Sequence, residues 1–450
     1  MTAALVAGAV TPGERPGPLS TAVRLGGLFG PSVFGVTAAA VALPDVAVAL
    51  RAGAAEVAWV LTAHALALGV GTAVFGRLAD SRGVRVALLI ASLMLAAGAL
   101  VCVVAPSLGV LVAGRLLLAA GSGGATAVSA ALLANMEGGR RLRVLAGYGM
   151  VMAVFASVAT LLGGMVTTWV SWRVTLVLPA LSVLAVPSCL RLAVRPGSRR
   201  PIDLTGAAAL TVGVSTLLVL IQSRTLDLGG PVVAALAAGF VLAAGALAWR
   251  VVRRPDGFVP RAVVGRPAYR IESAIGAGVF GGLFAAMYAI PQILAGSYGW
   301  SVLGIGTALL PGAAVGAVLS RRAGLLGTRN GRLVLAATAL AAAVALIVTA
   351  TGQGGPWPAV LAASLCLAAF AVAQVVIIAA LPAGLPLHLR GAGMGLLNLT
   401  FFVAGGVGAA VTGAAATLIG TARTPALVAL FPLSAAVVAV VTRPRAAGER

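Results

Sequence analysis

Gly76-Arg77-Leu78-Ala79-Asp80-Ser81-Arg82-Gly83-Val84-Arg85 is a dense run of charge set between two long apolar stretches. It reads as a tight basic loop clamped between two membrane helices, and the rest of the chain can be oriented from it.

Of 450 residues, 60% are hydrophobic and 9% charged, which is outside the range of soluble domains. Apolar runs of about 18 to 25 residues recur along the chain, each long enough to cross the bilayer core as a helix. The short alternating segments of a membrane β-barrel are absent. The expected fold class is therefore an all-α polytopic membrane protein.

A net charge of +21 could suggest nucleic acid, but its placement argues against that partner. The sequence contains no lysine, and the arginines fall in alternate loops rather than on one face or in one tail. Cys102, Cys189 and Cys366 lie far apart without CxxC spacing, so neither a disulfide framework nor a metal site is indicated. There is no catalytic triad and no His-Glu-x-x-His, and without lysine there is no phosphate-cradling Gly–Lys loop. The expectation is a protein that is not an enzyme and uses no cofactor.

With Pro, Gly and Arg clusters as punctuation, fourteen spans begin near positions 27, 57, 86, 108, 143, 173, 204, 231, 271, 302, 332, 357, 391 and 424. Because Arg resists translocation, loops rich in it stay on the cytoplasmic side. Placing the 76–85 loop inside puts every arginine there except Arg51, Arg173, Arg224 and Arg423 outside and Arg115 within a span. Both termini are then cytoplasmic. Trp59, Trp169, Trp172, Trp249, Trp300 and Trp357 all fall at predicted helix ends, where an amphipathic ring suits the interface. Residues 1–24 read as a disordered tail rather than a signal peptide, and 443–450 as a second tail.

Two echoes suggest repeated halves. Leu142-Arg143-Val144-Leu145-Ala146-Gly147 resembles Leu389-Arg390-Gly391-Ala392-Gly393, and Arg82-Gly83-Val84-Arg85 resembles Arg329-Asn330-Gly331-Arg332. They fit six-helix bundles at 25–195 and 256–442 around an inserted helix pair at 196–255. Repeated halves are how many transporters place one site between two rocking bodies.

The opening loop has its own physical logic. Its glycines permit a tight reversal, and one carboxylate among three guanidiniums can hold a neighbouring helix end. In this it resembles the signature loop between the second and third helices of the major facilitator superfamily, with Gly76, Leu78, Asp80, Gly83 and Arg85 at matching positions and Arg82 supplying a further basic residue. The resemblance runs from about residue 25 to 440 and is strongest to the fourteen-helix drug:proton antiporters. Ala42-Leu43-Pro44-Asp45, Asp203-Leu204-Thr205-Gly206 and Gly306-Thr307-Ala308-Leu309-Leu310-Pro311 carry it. It implies alternating access, with Gly76, Asp80, Arg82, Gly83 and Arg85 as a conformational latch.

Arg115 lies inside a span, at a cost of about 2.5–3.5 kcal/mol on insertion scales. It resembles the fourth-helix arginine of the family, though Leu118 and Ala119 stand where Gln and Gly are usual. It is a candidate for proton coupling or substrate contact, or alternatively a structural Arg near the outer interface. The acid that this family carries in its first helix is here Gly35, while the companion Thr is kept as Thr37. If protons are coupled, something else must titrate. His64, an intramembrane imidazole, is one candidate, and a hydrogen-bonded His in a packing seam is the other reading of it. Glu272, close to Arg270, reads as an interfacial ion pair or a coupling residue. Among Asn135, Gln222, Gln292, Gln374 and Asn398, which could line a cavity or bond between helices, Gln292 and Asn398 are the preferred cavity candidates. His388, beside Arg390, has no expected role.

The expected function is secondary export of a hydrophobic or amphipathic small molecule, coupled to protons, by a monomer in the plasma membrane. The alternatives are an uncoupled or uptake carrier for a small metabolite, and a non-transporting scaffold or sensor of transporter descent.

Overall fold

A computed structural model describes residues 16–442, apart from 135, 137, 194, 195, 200, 225, 384 and 386–388. Asn135, His388 and the 443–450 tail fall outside the described residues, as does most of the 1–24 tail.

Among the described residues fourteen helices are long and apolar enough to span a membrane. The first six are α1 (Pro18–Leu50), α2 (Glu56–Arg82), α3 (Val84–Val104), α4 (Leu108–Ala134), α5 (Gly139–Trp169) and α6 (Trp172–Leu190). Next come α7 (Leu204–Ile221) and α8 (Gly230–Arg253). The remaining six are α9 (Pro267–Tyr298), α10 (Val302–Leu325), α11 (Arg329–Ala350), α12 (Trp357–Ile377), α13 (Ala392–Ile419) and α14 (Thr424–Val441). Helix closes every backbone hydrogen bond within one segment, which is why apolar runs of this length take it in lipid.

α1 begins at Pro18, well before position 27. Proline suits the first helical turn, where its missing N–H costs nothing. Ala22 and Leu25 then bury against the bundle while Leu19 and Val23 face outward, so Arg24 sits on a helix rather than in a tail.

α1 and α6 are not continuous. A 3₁₀ segment at Gly30–Gly35 interrupts α1 before the helix resumes at Thr37, and another at Leu178–Ala185 interrupts α6. The two segments pack against each other. A 3₁₀ stretch inside a helix shifts the hydrogen-bond register and leaves carbonyls in need of donors.

Within the first six helices α2 packs on α4, α4 on α3 and α1 on α5. Within the last six α9 packs on α13 and α14, and α12 on α10 and α11. Rings of Phe280, Phe284, Phe370, Phe401 and Phe402 form the centre of the second group, the closest pair 4.7 Å apart. The two groups meet along α2–α13 and along α5–α10. At the first seam Gly395 lies so close to α2 that a Cβ there would come within 2.9 Å of the Thr72 carbonyl. That contact lies toward the 76–85 end of α2, whereas Leu161 of α5 meets Gly306 of α10 at the opposite end.

α7 and α8 pair with each other at the margin, α7 touching α2 and α13. α8 keeps only Ala243 buried. Its exposed Val241 and Leu242, like Leu93, Leu100 and Leu184 elsewhere, present the apolar surface that acyl chains require.

Candidate functional site

Arg115 of α4 is fully buried. Its guanidinium donates to three backbone carbonyls: Nη1 to Leu176 at 2.7 Å, Nε to Val60 at 3.4 Å, and Nη2 to Gly35. Gly35 is the last residue of the 3₁₀ segment in α1, and Leu176 stands just before the break in α6. Both interruptions thus turn a carbonyl toward the same cation. Hydrogen bonds to a charged group contribute about 1.5–3 kcal/mol each, so three of them outweigh the insertion cost of about 2.5–3.5 kcal/mol. Arg115 joins two broken helices to α2.

His64 of α2 lies against the same point. It is fully buried, and neither ring nitrogen has a hydrogen-bond partner among the described residues. A Cβ built at position 35 would run into the imidazole. The ring therefore occupies the space that a side chain at 35 would need, and the glycine is what admits it. Thr37, also buried, donates to the Val33 carbonyl at 2.9 Å and closes the other side of the break. Gly35, Thr37, His64 and Arg115, on three helices, thus come together in one cluster.

The 76–85 stretch is more helical than a loop. α2 continues to Arg82, only Gly83 leaves helical geometry, and α3 begins at Val84. Gly83 has φ 96°, which a side chain would oppose, so the reversal takes a single residue. A helix end leaves its last carbonyls unpaired, and the segment before α7 supplies donors for them. Ser198 donates to the Asp80 carbonyl from its N–H at 2.8 Å and from its hydroxyl at 3.0 Å, and the Arg199 N–H donates to the Ser81 carbonyl at 2.8 Å. Arg77 reaches the segment after α8, donating to the carbonyls of Phe258 at 3.1 Å and Asp256 at 3.3 Å. Arg82 and Arg85 are exposed.

Asp203 ties these two segments together. It caps α7 through the Gly206 N–H, accepts the Phe258 N–H at 3.2 Å, and pairs with Arg250 of α8 at 2.7 Å. Burial pushes its carboxyl up, but the bonds from Arg250, Gly206, Phe258 and Thr205 outweigh that and hold it well below the usual carboxylate range. The segments flanking α7 and α8 are therefore fastened to the 76–85 stretch from both sides.

The remaining candidates lie elsewhere. Glu272 is buried on α9 and pairs with Arg332 of α11 rather than with its neighbour Arg270. Arg332 also donates to the Thr442 carbonyl at 2.8 Å, so the group staples α9, α11 and the end of α14. Arg332 belongs to the echo of the opening motif, which was the one available signal for this pairing. Gln292 is exposed and bonds the Tyr288 carbonyl of its own helix at 2.9 Å. Asn398 is buried on α13. Gln222 donates to the Thr62 hydroxyl at 3.2 Å. Among the described residues no cluster of His, Cys, Asp or Glu could hold a metal.

Comparison with known proteins places this architecture. The model of the Major Facilitator Superfamily matches residues 25–409. The chain belongs to that superfamily. That superfamily is one of multi-pass secondary transporters and not of enzymes. An uncharacterised MFS-type transporter of Mycobacterium tuberculosis is 27% identical over 366 residues, covering 78% of this chain and 53% of its own length. The cephamycin export protein of Amycolatopsis lactamdurans is 36% identical over 214 residues, 44% of this chain and 42% of that protein. A multidrug resistance protein B homolog of M. tuberculosis is 34% identical over 168 residues, 36% of this chain and 31% of its own. The chain thus spans about half, or less, of the length of these curated relatives.

Two solved structures share the fold. The human organic anion transporter MFSD10 superposes with a TM-score of 0.64 at 15% identity, covering 94% of this chain and 99% of that one. A POT family transporter in complex with a thioalcohol-conjugated peptide gives 0.65 at 13% identity, covering 94% and 95%. These major facilitator likenesses establish architecture alone.

Proposed function

We propose that the protein exports hydrophobic or amphipathic small molecules from a bacterial cell, coupled to protons, by rocking its two six-helix halves (25–195 and 256–442) about the seams between them. The observation that carries this is the pair of seams: the halves touch along α2–α13 from mid-span, at Ala65–Gly406, to the 76–85 end, at Thr72–Gly395, and along α5–α10 at the opposite end, at Leu161–Gly306. Contacts that close opposite ends of one path are what alternating access must break in turn. The arginine-rich loops put both termini and the latch in the cytoplasm. Relatives named for multidrug resistance and cephamycin export support the outward direction. The scarcity of fixed charge within the spans favours lipophilic solutes, since an unpaired charge is costly to desolvate.

A specific observation favours one other reading, an uncoupled carrier. The first helix has Gly35 in the acid's place, and neither nitrogen of His64 has a hydrogen-bond partner among the described residues. Export is tested with a lipophilic fluorescent dye in cells lacking or overproducing the chain. Overproduction should lower steady-state dye severalfold below that in the deletion strain. Higher dye on overproduction would mean uptake and would remove the export reading.

A further inference from the structure

A crevice lies between α5 and α12, one helix from each half. Leu145, Tyr148, Met152 and Ala156 line it from α5, and Phe370 and Gln374 from α12. In this conformation it has room for roughly one water molecule. Its walls are apolar apart from the Tyr148 hydroxyl and Gln374, and none of the residues lining it is charged. Gln374 is 6% exposed, and both its amide nitrogen and its amide oxygen lack a hydrogen-bond partner among the described residues. A donor and an acceptor left unmade in such a setting cost about 1–3 kcal/mol each. Packing supplies no return for that cost, since a leucine would fill similar volume without it.

We propose that Gln374 is a specificity-determining residue: the α5–α12 crevice is a substrate subsite that takes an uncharged, flat apolar group bearing one amide-like donor–acceptor edge, such as a lactam. The inference rests on the transport reading above and adds the class of solute. A side-chain amide presents one donor and one acceptor side by side, so its complement is another amide, paired by two bonds. Tyr148 and Phe370 supply ring faces, and the thioether of Met152 adapts to varied outlines. The absence of charged lining excludes ions by desolvation. Because the walls belong to different halves, separating α5 from α12 widens the crevice and exposes the amide, so the subsite opens as the halves part.

The test uses two nearly isosteric neutral probes, 4-methyl-2-quinolinone, a lactam, and 4-methylcoumarin, its lactone counterpart with a ring oxygen in place of the N–H. Binding to the purified full chain in lipid nanodiscs is measured by equilibrium dialysis. The lactam is expected to bind about tenfold more tightly, the worth of one added hydrogen bond in a dry site. Gln374→Leu should erase the preference, weakening the lactam about tenfold more than the lactone, and Gln374→Asn should restore part of it. Melting temperatures of the variants, measured alongside, confirm that the fold is intact. Equal affinities in the wild type, binding of neither probe, or a preference that survives Gln374→Leu would each overturn the proposal. Binding does not depend on export, so a chain that fails to lower dye yet shows the Gln374-dependent preference refutes the transport reading and leaves the subsite standing. A chain that exports dye with an unaltered preference in Gln374→Leu does the reverse.

Discussion

Gly35→Asp, which places an acid at the break in α1, should abolish function as a single substitution and be tolerated once His64 is reduced to alanine. A Cβ at position 35 collides with the imidazole before any carboxylate is placed. The ring is fully buried beside Arg115, so it cannot swing out into solvent to make room. Overpacking of this kind costs about 1–3 kcal/mol, and a carboxylate forced into a poor position adds its own desolvation. In Gly35→Asp/His64→Ala the space is open and the Arg115 guanidinium stands beside the new acid, so the pair can form. Dye export and the thermal stability of the detergent-purified protein should both fall sharply in the single mutant. Both should return toward wild type in the double mutant. A single mutant that is stable and active would show that His64 does not fill the acid's place.

Arg115→Met is expected to have a still larger effect, on folding before transport. Methionine approximates the length of the stem but removes the guanidinium donors from the carbonyls of Gly35 and Leu176, whereas Val60, inside a continuous helix, keeps its helical partner. Each of these two carbonyls, at the breaks in α1 and α6, costs about 1–3 kcal/mol when left unmade. Together that is comparable with the lower end of the stability of a typical domain, about 5–15 kcal/mol. The variant should be lost from the membrane fraction. Arg115→Lys should be recovered at reduced yield, since one ammonium cannot fan out to three diverging carbonyls as a guanidinium does. Normal yield of Arg115→Met with selective loss of transport would assign Arg115 to the solute rather than to the two helix breaks.

Both predictions turn on contacts that the sequence does not display. The fourteen spans were legible because lipid imposes one rule on every residue of a span, so long apolar runs identify themselves. The superfamily was legible from the 76–85 motif for the same local reason. Arg115 was legible as costly, but its acceptors lie on three other helices and are backbone atoms, which carry no sequence mark. The collision between position 35 and His64 joins two helices in the same way. The departure at Gly35 could be read as a missing acid, not as room for a ring. Glu272 was assigned to the near neighbour Arg270, whereas packing of α9 on α14 and α14 on α11 brings in Arg332 from sixty residues away. Proximity along a helix is a weak guide where bundles fold back on themselves. The same limit hid the fastening of the inserted pair, since Ser198 and Arg199 bond carbonyls of Asp80 and Ser81 through N–H groups that any residue but proline possesses.

The 76–85 stretch and the Arg115 cluster are connected: α2 carries both His64 and the motif, and the segments around α7 and α8 hold its end. A shift of α2 against α13 would therefore act on the latch and on the imidazole together.

The central claim is tested by purified protein in liposomes, with an imposed pH gradient and a lipophilic fluorescent dye, comparing wild type with His64→Leu. Proton-coupled export predicts dye moving against its concentration gradient in wild-type vesicles, stopping when a protonophore is added and failing in His64→Leu. Dye that only equilibrates, at a rate indifferent to the pH gradient and to His64, would contradict it.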